Sequence, residues 1–219
     1  MEKTSAAKPR KRPDGELILV AGASGSGKSL YTMRACARDA RLIVWDSHLE
    51  WWQRGCTPIR TIAELARACS TRDPAQLAYV GPMDSRNFTG FCRVALCWLK
   101  LAPCTIAVEE LADVSSPAKA PKAWGELQRW ARKLGGKLYG ITQRPAESDK
   151  TLAGNAQRII CHALNGELDE RYMMRYLRVP IERLQALDYP RLEYLERLPD
   201  RSVRNGFNAL PAGKKSRTR

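Results

Sequence analysis

Short runs of consecutive apolar residues recur along the chain and predict buried β-strands. An uninterrupted apolar run is typical of a strand in a parallel sheet that is covered on both faces, whereas a half-exposed strand alternates apolar and polar residues. Only the last predicted strand alternates in this way. The predicted strands are 16–21, 41–46, 76–81, 105–108, 136–143, 158–164 and 191–197.

Between these strands, apolar residues recur every three to four positions, which predicts helices. Thr61 and Glu64 have the spacing of a capping box at the start of one helix. Residues 204–207 are interpreted as a turn. The alternation of strands and helices predicts an α/β fold with a mostly parallel central sheet and helices on both faces. The predicted helices are 30–38, 61–69, 87–101, 122–134, 149–156, 165–178 and 181–187.

The length of 219 residues suits one α/β domain with a sizeable core and is hardly enough for two. We expect a single domain over 16–199, a disordered basic arm over 1–15 and an extension with a basic tail over 200–219. No signal peptide and no run of 18 apolar residues is recognised, so a membrane span is not expected. The seven cysteines form no C-x-x-C pair, which favours free thiols in a reducing cytoplasm over a zinc site.

The formal charge of +14 is spread over the whole chain. Residues 1–14 contribute +3 and residues 214–219 contribute +4, which leaves +7 on the remaining body. Because both the tails and the body are basic, a polyanionic partner such as nucleic acid is expected.

The segment 22–29 (GASGSGKS) follows the first strand directly and fills every fixed place of the P-loop pattern G-x-x-x-x-G-K-[ST]. In such a loop, backbone N–H groups curl around an oxyanion and the next helix points its positive dipole end at the same place. Lys28 is predicted to reach the β- and γ-phosphates of ATP, and the Ser29 hydroxyl to bind Mg²⁺. The other predicted nucleotide contacts are Gly22, Ala23, Ser24, Gly25, Ser26, Gly27 and Leu30.

The strand 105–108 ends in paired acids, as in a Walker B motif. We assign Glu109 to the outer-sphere contact with Mg²⁺ and Glu110 to orienting and deprotonating the attacking water, although the reverse assignment stays open. A further polar and aromatic cluster follows the second strand, over 46–52. It lies either beside the nucleotide or a neighbouring subunit, or only at a packed corner of the fold.

Two further segments are candidates for function. Gln143 ends a predicted strand and is interpreted as a sensor of the γ-phosphate. The proline-bearing loop 112–121 is expected to face a central pore, and the helix after it carries a basic face with Arg129 and Arg132.

Taken together, these motifs resemble the FtsK–HerA superfamily of P-loop DNA-pumping ATPases, and most of all the small packaging ATPases of tailless, membrane-containing bacterial viruses. The segments that carry the resemblance are 22–29, 46–51, 106–110 and, above all, 141–145 (ITQRP). The resemblance implies a RecA-like core in a homo-oligomeric ring, a hexamer, with its ATP sites between subunits. Arg132 matches the place of the family's arginine finger, with Arg129 and Arg144 as alternatives. Glu109 departs from the family, in which Asp is commoner at that place.

The expected function is therefore ATP-driven translocation of double-stranded DNA into a viral procapsid, in the host cytoplasm or on the virion, with a capsid or portal-vertex protein as a further partner. Alternatives are a filamentous-phage-type assembly ATPase, a small-molecule kinase, and a nucleotide-gated DNA-binding or capsid-vertex scaffold with vestigial hydrolysis.

Overall fold

A single β-sheet forms the centre of the molecule, as a computed structural model that describes residues 14–118 and 120–209 defines it. Nine strands of the described residues take part in the sheet. They are β1 (Glu16–Ala21), β2 (Arg41–Trp45), β3 (Thr57–Ile59), β4 (Ala75–Tyr79), β5 (Thr105–Val108), β6 (Lys137–Thr142), β7 (Arg158–His162), β8 (Glu193–Arg197) and β9 (Val203–Phe207).

The strand order is β3-β4-β2-β5-β6-β1-β7-β8-β9. The first seven strands in this order run parallel, and β8 and β9 are antiparallel additions at one side. All five residues of β2 and all four of β5 are buried. Their continuous apolar sequences therefore match strands that are covered on both faces, as predicted.

Eight α-helices connect the strands in the described residues. They are α1 (Lys28–Cys36), α2 (Ile62–Ala68), α3 (Ser85–Leu101), α4 (Leu111–Val114), α5 (Lys122–Lys133), α6 (Lys150–Asn155), α7 (Glu167–Leu177) and α8 (Ile181–Gln185). Single 3₁₀ turns lie at Trp52–Arg54 and Pro145–Glu147. None of the helices in the described part of the chain has the length and apolar character needed to cross a membrane.

The starts of several helices are fixed by side-chain caps. The predicted capping box is confirmed, since Thr61 Oγ1 accepts the Glu64 N–H at 3.1 Å and Glu64 Oε2 accepts the Thr61 N–H at 3.3 Å. Asp84 caps α3 and Asp149 caps α6. These polar residues end the connecting loops and set where each helix begins.

The two faces of the sheet are covered unequally. Buried residues of α2 to α8 all join the apolar core on one face, where α3 and α5 pack against each other. On the other face, α1 packs on the sheet through Tyr31, Met33 and Cys36, together with Trp51 and Cys56. The predicted α/β fold with helices on both faces is confirmed, with most of the helical mass on one side.

Some local predictions are corrected. The predicted turn at 204–207 is wrong, because Val203–Phe207 forms β9 and pairs with β8. The sheet therefore continues past the domain boundary expected at residue 199. Within the predicted loop 112–121, the first residues belong to α4. Most of the predicted arm, 1–13, and the end of the basic tail, 210–219, lie outside the described residues.

Candidate active site

The carboxyl ends of four neighbouring strands meet at one edge of the sheet. Strands β2, β5, β6 and β1 are consecutive in the sheet, and their last residues are in register: Trp45 lies opposite Val108, and Ala21 opposite Thr142. The segments that follow these strands therefore lie side by side. They include the P-loop and the paired acids, as expected for a ligand site in a parallel α/β sheet.

The P-loop turns sharply between β1 and α1. Gly25 and Gly27 have φ angles of +74° and +100°, in the left-handed region that residues with a Cβ rarely adopt. Helix α1 begins at Lys28, two residues earlier than the sequence predicts. The free N–H groups of its first turn therefore point into the loop, and this arrangement favours an anion.

Lys28 is buried inside the curl of the loop, where its Nζ donates a hydrogen bond to the Ala23 carbonyl at 3.0 Å. Burial lowers the pKa of Lys28, and the nearby carboxylates of Glu110, Glu109 and Glu50 oppose that shift. The ammonium group is thus partly desolvated, and its hydrogen-bond partner among the described residues is a neutral carbonyl. It is well placed to exchange that carbonyl for phosphate oxygens.

Glu109 is buried at the end of β5 and is held by two side chains from the segment that follows β2. The indole Nε1–H of Trp51 donates to Glu109 Oε1 at 2.9 Å. His48 Nδ1 lies 3.6 Å from Glu109 Oε2, and its interaction with the Glu109 carboxylate raises the pKa of His48. The Glu109 carboxylate therefore has one oxygen fixed by a neutral donor and the other close to a group that carries positive charge when protonated.

Glu110 is oriented by the end of β6. Its Oε1 accepts hydrogen bonds at 3.2 Å from the Thr142 hydroxyl and from the Gln143 backbone N–H. The residue has a φ angle of +43°, which turns the chain sharply between β5 and α4. These two hydrogen bonds fix the position of one carboxylate oxygen and leave the second available to a water molecule.

The segment 46–52 is held in place by Asp46, which is fully buried at the end of β2. Its carboxylate accepts the backbone N–H groups of Glu50, Trp51 and Trp52 at 2.9 to 3.2 Å. Burial, together with the Glu109 charge, raises the pKa of Asp46 to about 6, against the effect of those hydrogen bonds. Of the two interpretations left open from the sequence, the structure supports the one that places this cluster beside the site.

One cavity of about 300 Å³ brings the predicted groups together. One wall is the P-loop and the opposite wall is formed by acidic and polar side chains. Its lining comprises Ser24, Gly25, Lys28, Ser29, His48, Glu50, Glu109, Glu110, Ile141 and Gln143. The cavity therefore has a basic, N–H-rich side that suits phosphates and an acidic side that suits a metal ion and a water.

The residues present fit Mg²⁺. Glu109 Oε2 is buried and makes no hydrogen bond with any described residue, since His48 Nδ1 at 3.6 Å is too far for one. This carboxylate oxygen is therefore able to accept a bond from a metal ion or from its water. The Ser29 hydroxyl lines the same cavity. Carboxylate and hydroxyl oxygens are ligands that Mg²⁺ prefers, directly or through water.

The segment that flanks the C-terminal strands braces the P-loop from outside. The Tyr189 hydroxyl donates to the Ser24 carbonyl, and Asn208 Nδ2 donates to the Gly27 carbonyl at 2.9 Å. Asn208 is only 5% exposed, and a Cβ on Gly27 would lie 2.8 Å from its amide nitrogen. The close approach of Asn208 therefore adds a second reason for glycine at position 27. No motif in the sequence pointed to this contact.

His162, at the end of β7, packs against Gly22 at the start of the P-loop. Burial lowers the pKa of His162 to about 3, and the positive charge of Lys28 acts in the same direction. The imidazole is therefore neutral at physiological pH. It fills space under the loop without repelling Lys28.

The predicted arginine finger lies away from this cavity. The Arg132 carbonyl accepts the Gly15 N–H at 2.8 Å, at the amino edge of the sheet and roughly 20 Å along β1 from the P-loop. Its side chain shares a cavity of about 900 Å³ with Arg129. Arg144 lies at the catalytic edge, where it is exposed and forms an ion pair with Glu147 at 3.3 Å. Arg132 therefore does not reach the phosphate site of its own subunit.

The chain resembles known proteins over most of its length. No protein-family model matches it. Protein P9 of Pseudoalteromonas phage PM2 is 33% identical over 172 residues, and the match covers 78% of each chain.

Two solved structures share the fold. The genome packaging NTPase B204 from Sulfolobus turreted icosahedral virus 2, in complex with AMPPCP, has a TM-score of 0.75 at 15% identity, and the match covers 90% of this chain and 99% of that one. B204 from Sulfolobus turreted icosahedral virus, described as a DNA-packaging ATPase, has a TM-score of 0.68 at 15% identity, with 90% and 98% of the chains covered. At these identities the likeness establishes the fold.

Proposed function

The chain belongs to the family of protein P9 of Pseudoalteromonas phage PM2. We propose that it is an ATP-hydrolysing motor that packages double-stranded DNA into a viral procapsid. The relationship to P9 and the fold shared with B204 support the FtsK–HerA type of P-loop ATPase that the motifs predict. The observation that carries the proposal is the single cavity that unites the P-loop, Lys28, the paired glutamates and Gln143. The B204 structures, named for genome packaging, add support through their shared fold.

In the proposed mechanism, the N–H groups of the P-loop and the Lys28 ammonium bind the β- and γ-phosphates of ATP. Ser29 and Glu109 hold Mg²⁺, which would neutralise charge on those phosphates. Glu110 accepts a proton from the attacking water through the oxygen that its hydrogen bonds leave available. Gln143 contacts the γ-phosphate. Because the Gln143 backbone N–H also donates to Glu110, the segment that senses the phosphate is the one that orients Glu110.

The motor acts as a homo-oligomeric ring, a hexamer, in which Arg132 of one subunit reaches the γ-phosphate of the next. The remote position of Arg132 within its own subunit supports a role between subunits. Double-stranded DNA is held by phosphate contacts, so transport is independent of sequence and sensitive to salt. The ring works in the host cytoplasm or on the virion and docks on a capsid or portal-vertex protein.

The test is steady-state ATP hydrolysis with and without long double-stranded DNA, at low and moderate salt. We expect DNA to raise turnover, and the increase to fade as salt is added, because salt weakens phosphate contacts. Lys28→Ala should abolish turnover and weaken ATP binding. Glu110→Gln should abolish turnover and keep ATP binding, since the P-loop is unchanged.

Each of the other outcomes contradicts a stated part of the proposal. Turnover that DNA does not change would exclude a DNA-coupled motor and favour the small-molecule kinase. ATP binding without turnover in the unmodified chain would favour the scaffold. A fully active Glu110→Gln variant would overturn the assignment of Glu110 to the water.

A further inference from the structure

An open groove of about 1120 Å³ lies next to the catalytic edge, between the start of α3 and the segment that leads into α5. It shares no lining residue with the nucleotide cavity. Its walls carry three basic side chains with small residues between them. The lining includes Arg86, Thr89, Gly90, Arg93, Val114 and Lys122.

The charge of the groove is positive and largely uncompensated. Arg86, Arg93 and Lys122 are exposed, and none of them forms an ion pair with a described residue. Asp84 is the one acid among the lining residues. Its carboxylate caps α3 by accepting the Asn87 backbone N–H at 2.8 Å and the Asn87 side-chain amide at 2.7 Å. These hydrogen bonds lower the pKa of Asp84, and the attraction of the Arg86 charge to its carboxylate adds to that shift. Three cations against one carboxylate leave the groove with a net positive charge that can attract an anion from outside.

The spacing of the two arginines suits a nucleic-acid backbone. Arg86 and Arg93 are seven residues apart on α3, which places them on one face at a separation of about 10 Å. Measured along the axis of double-stranded DNA, that separation spans the rise of about three base pairs. Thr89 and Gly90 lie between the two arginines, and these small residues leave the groove open there. We propose that this groove binds the phosphate backbone of double-stranded DNA through Arg86, Arg93 and Lys122.

The groove is also connected to the site of hydrolysis. Helix α4 begins directly after Glu110, and its last residue, Val114, lines the groove. One helical turn therefore separates the carboxylate that orients the water from the groove wall. The other wall is connected through Asp149, which accepts hydrogen bonds from Trp124 and Gln128 of α5. The Asp149 N–H in turn donates to the hydroxyl of Ser115, the residue after α4. Both walls of the groove are therefore linked to the segment that follows Glu110.

The groove assignment rests on the proposed function, and it is tested by the salt dependence of DNA affinity. The double variant Arg86→Gln/Arg93→Gln is compared with Arg67→Gln/Arg175→Gln, a pair of exposed helical arginines outside the groove. The logarithm of the DNA association constant falls linearly with the logarithm of the salt concentration. Loss of two phosphate contacts should make this negative slope shallower by about 2. The control pair should keep the slope of the unmodified chain. ATP hydrolysis without DNA should remain unchanged in all variants.

The outcomes separate this assignment from the function on which it rests. If the unmodified chain neither binds DNA nor responds to it, the proposed function fails and the groove assignment fails with it. If the unmodified chain binds DNA but the groove variant and the control have equal slopes, the groove assignment alone is overturned. A change in oligomer mass with an unchanged slope also overturns it, because the groove then contacts protein.

Discussion

At the scale of single residues, the position of Glu109 depends on a partner from the segment that follows β2. The carboxylate is 1% exposed, and the Trp51 indole is its hydrogen-bond donor. A buried carboxylate that loses a hydrogen-bond donor is destabilised. Its side chain can then also adopt orientations that no longer suit Mg²⁺. Trp51 is thus a positioning residue, because it acts through Glu109.

Trp51→Phe should keep the aromatic packing and remove this donor. We expect kcat to fall roughly tenfold, which corresponds to the loss of one hydrogen bond to a charged group. Affinity for ATP should change little, because the P-loop is untouched. Trp52→Phe is the matched control, since that neighbouring side chain is 42% exposed and lies outside the cavity lining. The prediction is contradicted if both variants retain the same kcat, measured under saturating ATP.

At the scale of secondary-structure elements, the P-loop depends on the segment that follows β9. Asn208 follows β9 directly and supplies a hydrogen bond to the Gly27 carbonyl within a turn that has two left-handed glycines. A correct orientation of that peptide is needed for its neighbours to point their N–H groups at phosphate. The C-terminal strands therefore contribute to nucleotide binding as well as to the sheet.

Asn208→Ala should leave the Gly27 carbonyl buried without this partner. We expect roughly tenfold weaker ATP binding, with a smaller loss of thermal stability, because the cost falls mainly on the loop. Asn205→Ala is a suitable control on the same segment, since Asn205 is exposed and the hydrogen bond of its side chain within the described residues is to Arg183. Nucleotide titration and thermal unfolding of both variants provide the measurement. Equal ATP affinity in the two variants would contradict the brace.

The same element shows why some of the fold was predictable and some was not. Strands β1, β2 and β5 are continuous apolar runs in the sequence, so a local pattern is enough to predict them. The P-loop is likewise a local sequence motif. In β9, Asn205-Gly206 is a strong turn signal. Gly206 instead permits the Tyr194 ring of β8 to pack closely, since a Cβ there would lie 2.4 Å from the ring. That requirement is a tertiary contact, which a local pattern cannot reveal.

The site follows the same division. The P-loop and the paired acids are sequence motifs, and the cavity brings them together as expected. The contacts of Trp51 with Glu109 and of Thr142 with Glu110 are made at the carboxyl ends of neighbouring strands, so they depend on the strand order. The assigned catalytic roles stay predictions until the variants are measured.

At the scale of the whole molecule, the two edges of the sheet carry complementary parts of one proposed site. The carboxyl edge holds the P-loop, while Arg132 lies at the amino edge. In a head-to-tail ring, two different surfaces of neighbouring copies meet, so the amino-edge surface of one copy can face the nucleotide of the next. A two-fold dimer instead pairs the same surface of both copies. The proposed finger therefore requires a heterologous contact between copies.

Mixing two inactive variants tests this arrangement. Lys28→Ala removes the nucleotide site and Arg132→Ala removes the finger, so each ring alone should lack turnover. In a ring assembled at random from equal amounts, about a quarter of the interfaces pair an intact Lys28 with an intact Arg132 of the neighbour, and a matching share of turnover should return. Arg144→Ala is the control. Arg144 lies at the same edge as Lys28, next to Gln143. If Arg144 acts within its own subunit, no subunit of a ring mixed from Lys28→Ala and Arg144→Ala holds both groups, and no turnover should return. Recovery with neither variant would contradict an arginine contributed in trans.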